Sequence, residues 1–477
     1  MAVGAIPNAF LKPGDTVVFK NGGPYVCPET NAALSTARIL TFRISGTPSQ
    51  KINYTAESLW GFSFDGGLAL VASNVVLQNL RIFNTETLTS RDKTNVYTLP
   101  SGINDYSPGN DIMHNLIENT GHPGIGSWKA TRGKYIVGNV IRFVGVNDST
   151  LGYTGSPRGS GMYLQNNDGS PEALIQGNIS YYNYTTGMKS YGTTSIWNFR
   201  FSQNICAENN EAGIFYHLDG YGSHGVQVTS NYIWKGNPGV RIGYQLGEGG
   251  HSNAVVTGNY LVDTFNPFQM VDGWRNTIWT NNTGVDLNER ALWVLDLVGE
   301  TSGSPASHLI DYNRYYAKDV YLNKRDPFEI KGTGLSWSAW QSQVKGEANS
   351  TLTYGTPNNL QLYTFRPSRD SNFVHCAAFN WLTNATANVD LSPHFQSGDI
   401  LRIYDAQAIP NAYTNFVYRG GSVSLDLTRT NRATMHGVFS QRTDRWRGFD
   451  PRFRSFVIYR SGRTAEPPSA INVKEED

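Results

Sequence analysis

Two cations, a histidine and several aromatic residues return at matching places in a short phrase that begins with Gly and an apolar residue. The phrase reads GINDYS from Gly102, GIGSWK from Gly124, GMYLQN from Gly161, GMKSYG from Gly187, GIFYHL from Gly213 and GVRIGY from Gly239. From Gly161 to Gly239 the three successive spacings are 26 residues. Side chains alternate across a strand, so if Ile103, Ile125, Met162, Met188, Ile214 and Val240 point inward, the residues after them point outward. That outer row is Asn104, Gly126, Tyr163, Lys189, Phe215, Arg241 and Gln269. A second outer row two residues on is Tyr106, Trp128, Gln165, Tyr191, His217, Gly243 and Val271.

The two rows have the composition of a carbohydrate site. Tyr163, Tyr191, Phe215, Tyr106 and Trp128 offer flat faces for sugar rings, and Lys189, Arg241, His217, Gln165 and Asn104 converge over a few coils. The chemistry this set suits is β-elimination on an acidic polysaccharide. Such a reaction needs a cation or amide on the uronate carboxylate, a base for the adjacent proton and an acid for the leaving oxygen. Arg241 suits bidentate carboxylate binding, with Gln165 or Asn104 assisting. Lys189 is the leading base, with neighbouring Tyr residues and Arg241 expected to lower its pKa. Tyr191 or His217 is the acid. Glycoside hydrolysis instead requires two carboxylates at roughly 5–9.5 Å, for which Asp168, Asp219 and Glu248 follow the outward strands. A third reading is a non-catalytic glycan binder or virion spike. No cofactor is implied. Ca²⁺ would find only Asp105 or Asp168, with no ligand set around them.

These rows need a scaffold that repeats. A second phrase supplies it, with two or three apolar residues, a polar residue, Asn and an apolar residue. It places Asn79, Asn115, Asn139, Asn178, Asn204, Asn231, Asn259 and Asn282 at spacings of 36, 24, 39, 26, 27, 28 and 23. Around both phrases the pattern has period two. Units of ~22–28 residues with short strands and no helix predict an all-β parallel solenoid, each coil stacked ~4.8 Å on the last. The Asn residues fit an internal ladder of amide hydrogen bonds and are structural. The spacings of 36 and 39 mark insertions at 85–101 and 146–160, on the face that solenoids commonly use for binding.

The opening KPGDTVVFKNGGPYV, the stacked GN-x-I phrases, GMYLQNNDG with GMKSYGTT, and DYNRYYA with LSWSAWQ resemble secreted bacterial right-handed parallel β-helix proteins of the pectate-lyase-like superfold. The resemblance spans roughly residues 10–345 and implies the fold. β-Helix lyases use Lys/Arg or Tyr/His sets, but the superfold also hosts hydrolases, epimerases and phage tailspikes, so activity has to be argued from the site. One departure is the start, where about ten residues precede the PGD turn, too few for the usual capping helix.

Residues 1–345 are therefore expected to form a right-handed parallel β-helix, 346–467 a C-terminal β-sandwich and 468–477 a polar tail. The sandwich is expected from the strand-like runs NLQLYTFRP, NFVHCAAFNW, NVDLS, DILRIYDA, TNFVYRG, SVSLDLTR and FRSFVIYR. It either binds sugar or covers the last coil. A net charge of +1 with 16% charged residues argues against a nucleic-acid partner. No apolar run approaches the ~18 residues of a membrane span. The first residues carry no signal-peptide pattern. An extracellular location, or the virion surface for a phage-encoded trimer, fits the composition, and the oligomeric state is unknown. Cys27, Cys206 and Cys376 have no metal or disulfide spacing and read as buried free thiols.

Overall fold

The structure, a computed structural model, describes residues 10–27, 38–86, 99–128, 133–145, 159–166, 169–192, 196–218, 225–243, 249–263, 266–271, 273–287, 291–296, 305–318, 326–368, 370–411, 413–431, 433–436 and 450–464. Strands follow one another around three long sheets, each strand pairing in parallel with its counterpart one coil on. Among the described residues the first sheet has 11 strands, from Thr16–Phe19 to Leu309–Asp311. The second has 12, from Gly22–Val26 to Thr351–Tyr354. The third also has 12, from Ile39–Phe42 to Thr333–Leu335, and its final pair is antiparallel. This is a parallel β-helix, as the repeat predicts.

Both phrases have a physical cause. The turn from the first sheet to the second places a left-handed residue before the Asn: Gly138 at φ +68°, Gly177 at +62°, Gln203 at +56°, Ser230 at +54° and Gly258 at +68°. The Asn then closes the turn. From Asn115 through Asn139, Asn178, Asn204, Asn231, Asn259 and Asn282, each backbone N–H and each Nδ2 donates to the Oδ1 of the next Asn at 2.8–3.1 Å. Asn313, in the DYNRYYA phrase, accepts the last of these bonds and extends the row. Asn79 does not belong to it. Ladder pairing aligns Val76–Gln78 with Asp111–Met113. Asn79, at φ +63°, therefore takes the left-handed place and Leu80 takes the ladder place, its N–H donating to Asn115 Oδ1 at 3.1 Å.

The Gly of the other phrase stands where coils approach closely. A Cβ on Gly161 would lie 2.6 Å from the Gly187 carbonyl oxygen, on Gly187 2.7 Å from that of Gly213, and on Gly213 2.9 Å from that of Gly239. Only glycine fits such a column. The following apolar residues, Ile103, Ile125, Met162, Met188, Ile214 and Val240, are all fully buried in the helix core. At the C-terminal end the core becomes aromatic, with Trp274, Trp279, Trp293 and Trp340 buried. Trp340 belongs to the α-helix Trp337–Val344, which the strand pattern did not announce; Ser336 caps it, its Oγ accepting from Ala339 N–H at 3.3 Å.

By its contacts the chain forms two compact units, Met1–Pro357 with Thr434–Gly448, and Asn358–Ala433 with Phe449–Asp477. The second unit contains all seven expected strands. Five form an antiparallel sheet in the order Leu360–Phe365, Phe373–Asn380, Phe453–Arg463, Asp399–Asp405, Thr414–Val417. Thr386–Asp390 and Ser422–Asp426 pair separately. Val374, Cys376, Leu401, Ile403, Phe456 and Ile458 of the larger sheet share a core with Ala387, Val389 and Leu425 of the smaller one, giving a sandwich-like packing.

Candidate active site

Strand register on the third sheet reproduces the first outer row. Asn104 pairs with Gly126, Gly126 with Tyr163, Tyr163 with Lys189, Lys189 with Phe215, Phe215 with Arg241 and Arg241 with Gln269. In the second row Tyr191 pairs with His217. Lys189 and Arg241 are two coils apart, roughly 10 Å.

Five of these outward residues line a cleft of about 520 Å³. Its floor carries Tyr163, Lys189, Tyr191, Phe215 and Arg241. Lys189 Nζ stands 4.5 Å from the Tyr191 ring centroid and 5.1 Å from that of Phe215. Arg241 Cζ lies 5.4 Å from the same Phe215 ring, and Arg241 Nε donates to the Gly243 carbonyl at 3.1 Å. The Tyr191 and Phe215 rings stack at 6.2 Å and 23°. Ring faces attract cations, so the two aromatics hold both charges in place on the cleft floor. Phe215 is 5% exposed, covered by its neighbours rather than open to a ligand.

The rest of the lining was not foreseen. It consists of His122, Ser160, Thr185, Thr186, Glu211, Ala212, Asn237 and Pro238. Each lies one or two residues before a column glycine, Gly124, Gly161, Gly187, Gly213 or Gly239. The same alignment that yields the outer rows would have found them, since positions before the Gly stack as regularly as those after it. His122 Nδ1 accepts the Ser160 N–H at 3.3 Å, which places the proton of the neutral ring on Nε2. Its ring meets Tyr163 edge-on at 5.7 Å. Ser160 and Thr185 hydroxyls are 3.1 Å apart, and Thr186 Oγ1 donates to Glu211 Oε2 at 3.3 Å.

Other candidates fall elsewhere. Trp128 and Tyr106 continue the floor toward the N-terminal coils. Asn104 is buried, and its Oδ1 accepts the Trp128 indole N–H at 3.2 Å, so it positions the indole. Gln165 is half-buried on the second row, outside the cleft lining. His217 occupies its strand position, but its side chain, like Asp168, Asp219 and Glu248, lies outside the described residues. Asp105 does not fit a Ca²⁺ ligand. It faces the interior, where Lys134 Nζ lies 3.3 Å from its Oδ2 and Asn110 Nδ2 donates to Oδ1 at 2.8 Å. Lys134 also bonds the Ser127 hydroxyl. Burial outweighs Asp105 and pulls the Lys134 ammonium down to about 8. Among the described residues no three His, Cys, Asp or Glu side chains converge as a metal site.

Fold and coil geometry define the chain as a parallel β-helix protein. No protein-family model matches it, and no curated protein matches it. Solved structures similar to it include the A-module of a mannuronan C-5 epimerase from Azotobacter vinelandii, at 12% identity over 72% of this chain and 92% of that chain, with a TM-score of 0.44. Endopolygalacturonase I from Stereum purpureum, complexed with two galacturonates, is 13% identical over 71% and 94%, with a TM-score of 0.37. A mutant tailspike protein of E. coli bacteriophage HK620, in complex with a hexasaccharide, is 14% identical over 89% and 73%, with a TM-score of 0.32. These are likenesses of fold alone. No described helix is long and apolar enough to cross a membrane.

Proposed function

We propose that the cleft binds an acidic polysaccharide and cleaves it by β-elimination. The observation that carries this reading is the layered set Tyr191, Lys189, Phe215 and Arg241, which puts two cations on an aromatic floor in a cleft that also holds the Ser160, Thr185 and Thr186 hydroxyls. Arg241 pairs with the uronate carboxylate and neutralises it, which makes the proton on the adjacent carbon more acidic. Lys189, once its ammonium has given a proton to solvent, removes that carbon-bound proton as the neutral amine. The electron pair left behind forms a carbon–carbon double bond as the β carbon–oxygen bond breaks, and the Tyr191 hydroxyl protonates the departing oxygen. His217 is the other donor the sequence offers. Because an amine and not an ammonium accepts the proton, the rate should climb toward alkaline pH.

Digestion of a panel of acidic and neutral polysaccharides tests this. The expected product is an unsaturated end absorbing in the near ultraviolet, and Lys189→Ala and Arg241→Ala should each abolish it. New reducing ends without that absorbance would refute elimination and indicate hydrolysis, with attention moving to Glu211, Asp168, Asp219 and Glu248. Absence of any product would leave glycan binding without catalysis, the reading that a virion spike would share.

A further inference from the structure

Among the described residues the charge on the cleft floor is confined, and a run of aromatic rings continues past it on one side. Between the Asn104 and Val294 coils, the two outward rows of the third sheet hold no Lys or Arg other than Lys189 and Arg241. Toward the N-terminal coils the floor runs on as rings. Tyr191 meets Tyr163 edge-on at 6.5 Å and 71°, Tyr163 meets Trp128 at 5.5 Å and 35°, and Trp128 stacks on Tyr106 at 6.4 Å and 17°. Toward the C-terminal coils the row passes Gln269 and Val294 to the carboxylate of Glu329.

The ring platform is held in place before any ligand arrives. Asn104 fixes the Trp128 indole through its N–H. Gly126 leaves room for it, since a Cβ there would lie 2.7 Å from Asn104 Oδ1 and 3.3 Å from the indole. Tyr106 at its outer end is 44% exposed. A run of half-buried to exposed rings continuous with the cleft, one per ~4.8 Å coil, suits the apolar faces of uncharged pyranoses. It does not suit a carboxylate, which the electron-rich ring faces repel.

We infer that the ligand is a mixed polysaccharide in which an acidic residue is followed by uncharged sugars, the acidic residue lying over Lys189 and Arg241 and the uncharged stretch over Trp128 and Tyr106. The inference rests on the proposal that the cleft binds glycan. A uniform polyuronate laid along the same face would set carboxylates over the rings on one side and approach Glu329 on the other.

Equilibrium binding by titration calorimetry separates the two ligands. The probes are hexasaccharides of deacylated gellan, in which each glucuronate is separated from the next by three uncharged sugars, and hexasaccharides of polygalacturonate and polymannuronate. The mixed hexasaccharides should bind at least about tenfold more tightly. Trp128→Ala and Tyr106→Ala should remove about that factor for them and leave polyuronate binding unchanged, and Trp128→Phe should restore most of it. Tighter polyuronate binding, equal loss on both ligand types, or no binding by the mixed probes would overturn the inference. Product absorbance measured in parallel keeps the readings apart. Mixed-ligand binding lost in Trp128→Ala without any chromophore sinks elimination and supports the platform, whereas chromophore formed from polyuronate alone supports elimination and overturns the platform.

Discussion

Replacing Asn204 by Ala tests the ladder at its centre. Asn204 is fully buried. Its Oδ1 accepts the Asn178 backbone N–H at 2.9 Å and Asn178 Nδ2 at 3.1 Å, and its Nδ2 donates to the Ile175 carbonyl at 2.8 Å and Asn231 Oδ1 at 3.0 Å. Four bonds at about 1 kcal/mol net each, plus about 1–3 kcal/mol for the buried Asn178 N–H left without an acceptor, give a loss of about 5–7 kcal/mol. That is comparable with the whole stability of many domains, about 5–15 kcal/mol. Asn79→Gly is the control, because glycine accepts the left-handed backbone and the side chain gives up its bond to Thr55 Oγ1, a loss of about 1 kcal/mol. Guanidinium unfolding followed by far-ultraviolet circular dichroism reads both. An Asn204→Ala protein within about 1 kcal/mol of Asn79→Gly would refute the ladder as a source of stability.

Two further outcomes follow from buried titrating groups. The buried Lys134 has a folded pKa of about 8 against 10.5 for the ordinary side chain. The unfolded chain therefore binds more protons between those values, and stability rises with pH across that window by about 3 kcal/mol relative to Lys134→Met. A stability difference between the two proteins that stays flat from pH 7 to 10.5 would contradict this. Burial pushes the thiols of Cys27 and Cys376 up to about 12 and that of Cys206 higher still. A disulfide thiol reagent at pH 8 should label none of the three until denaturant is added, and prompt labelling of the native protein would show that the thiols are open.

The sequence announced the features that repeat and was silent on those that do not. In-register stacking turns a 26-residue spacing into a spatial column, so the inward residues, the outer row and the Asn ladder could all be placed from identity and spacing. Asn79 misled because its phrase looks the same as the others while its coil is offset by one residue, a difference that only the pairing of Val76–Gln78 with Asp111–Met113 reveals. The polar lining escaped because Thr185, Glu211 and Asn237 share a position but no chemistry. Outward direction was also a poor guide to openness. Phe215 and Asn104 point away from the core and are still covered, one by Tyr191 and the two cations, the other by the indole it holds. Asp105 carried a charge that could be placed on a strand, but its partner Lys134, 29 residues away, is set by the coil geometry and no local pattern connects the two.

The glycine column has an evolutionary consequence. Because Gly161, Gly187, Gly213 and Gly239 recur at equal intervals and each meets the carbonyl of the next, a segment running from one glycine to the residue before the following one begins and ends on matching joints. Tandem duplication of residues 187–212 would insert one rung whose strands, turn asparagine and buried face already fit both neighbours. It would also add a second copy of Lys189 and Tyr191 to the floor and lengthen the cleft by one strand spacing. Deletion of the same segment would shorten it and remove them. In such a molecule the reach of the binding face is counted in whole coils, and a lineage can change the length of chain it grips by unequal crossing-over, with no need to redesign the core.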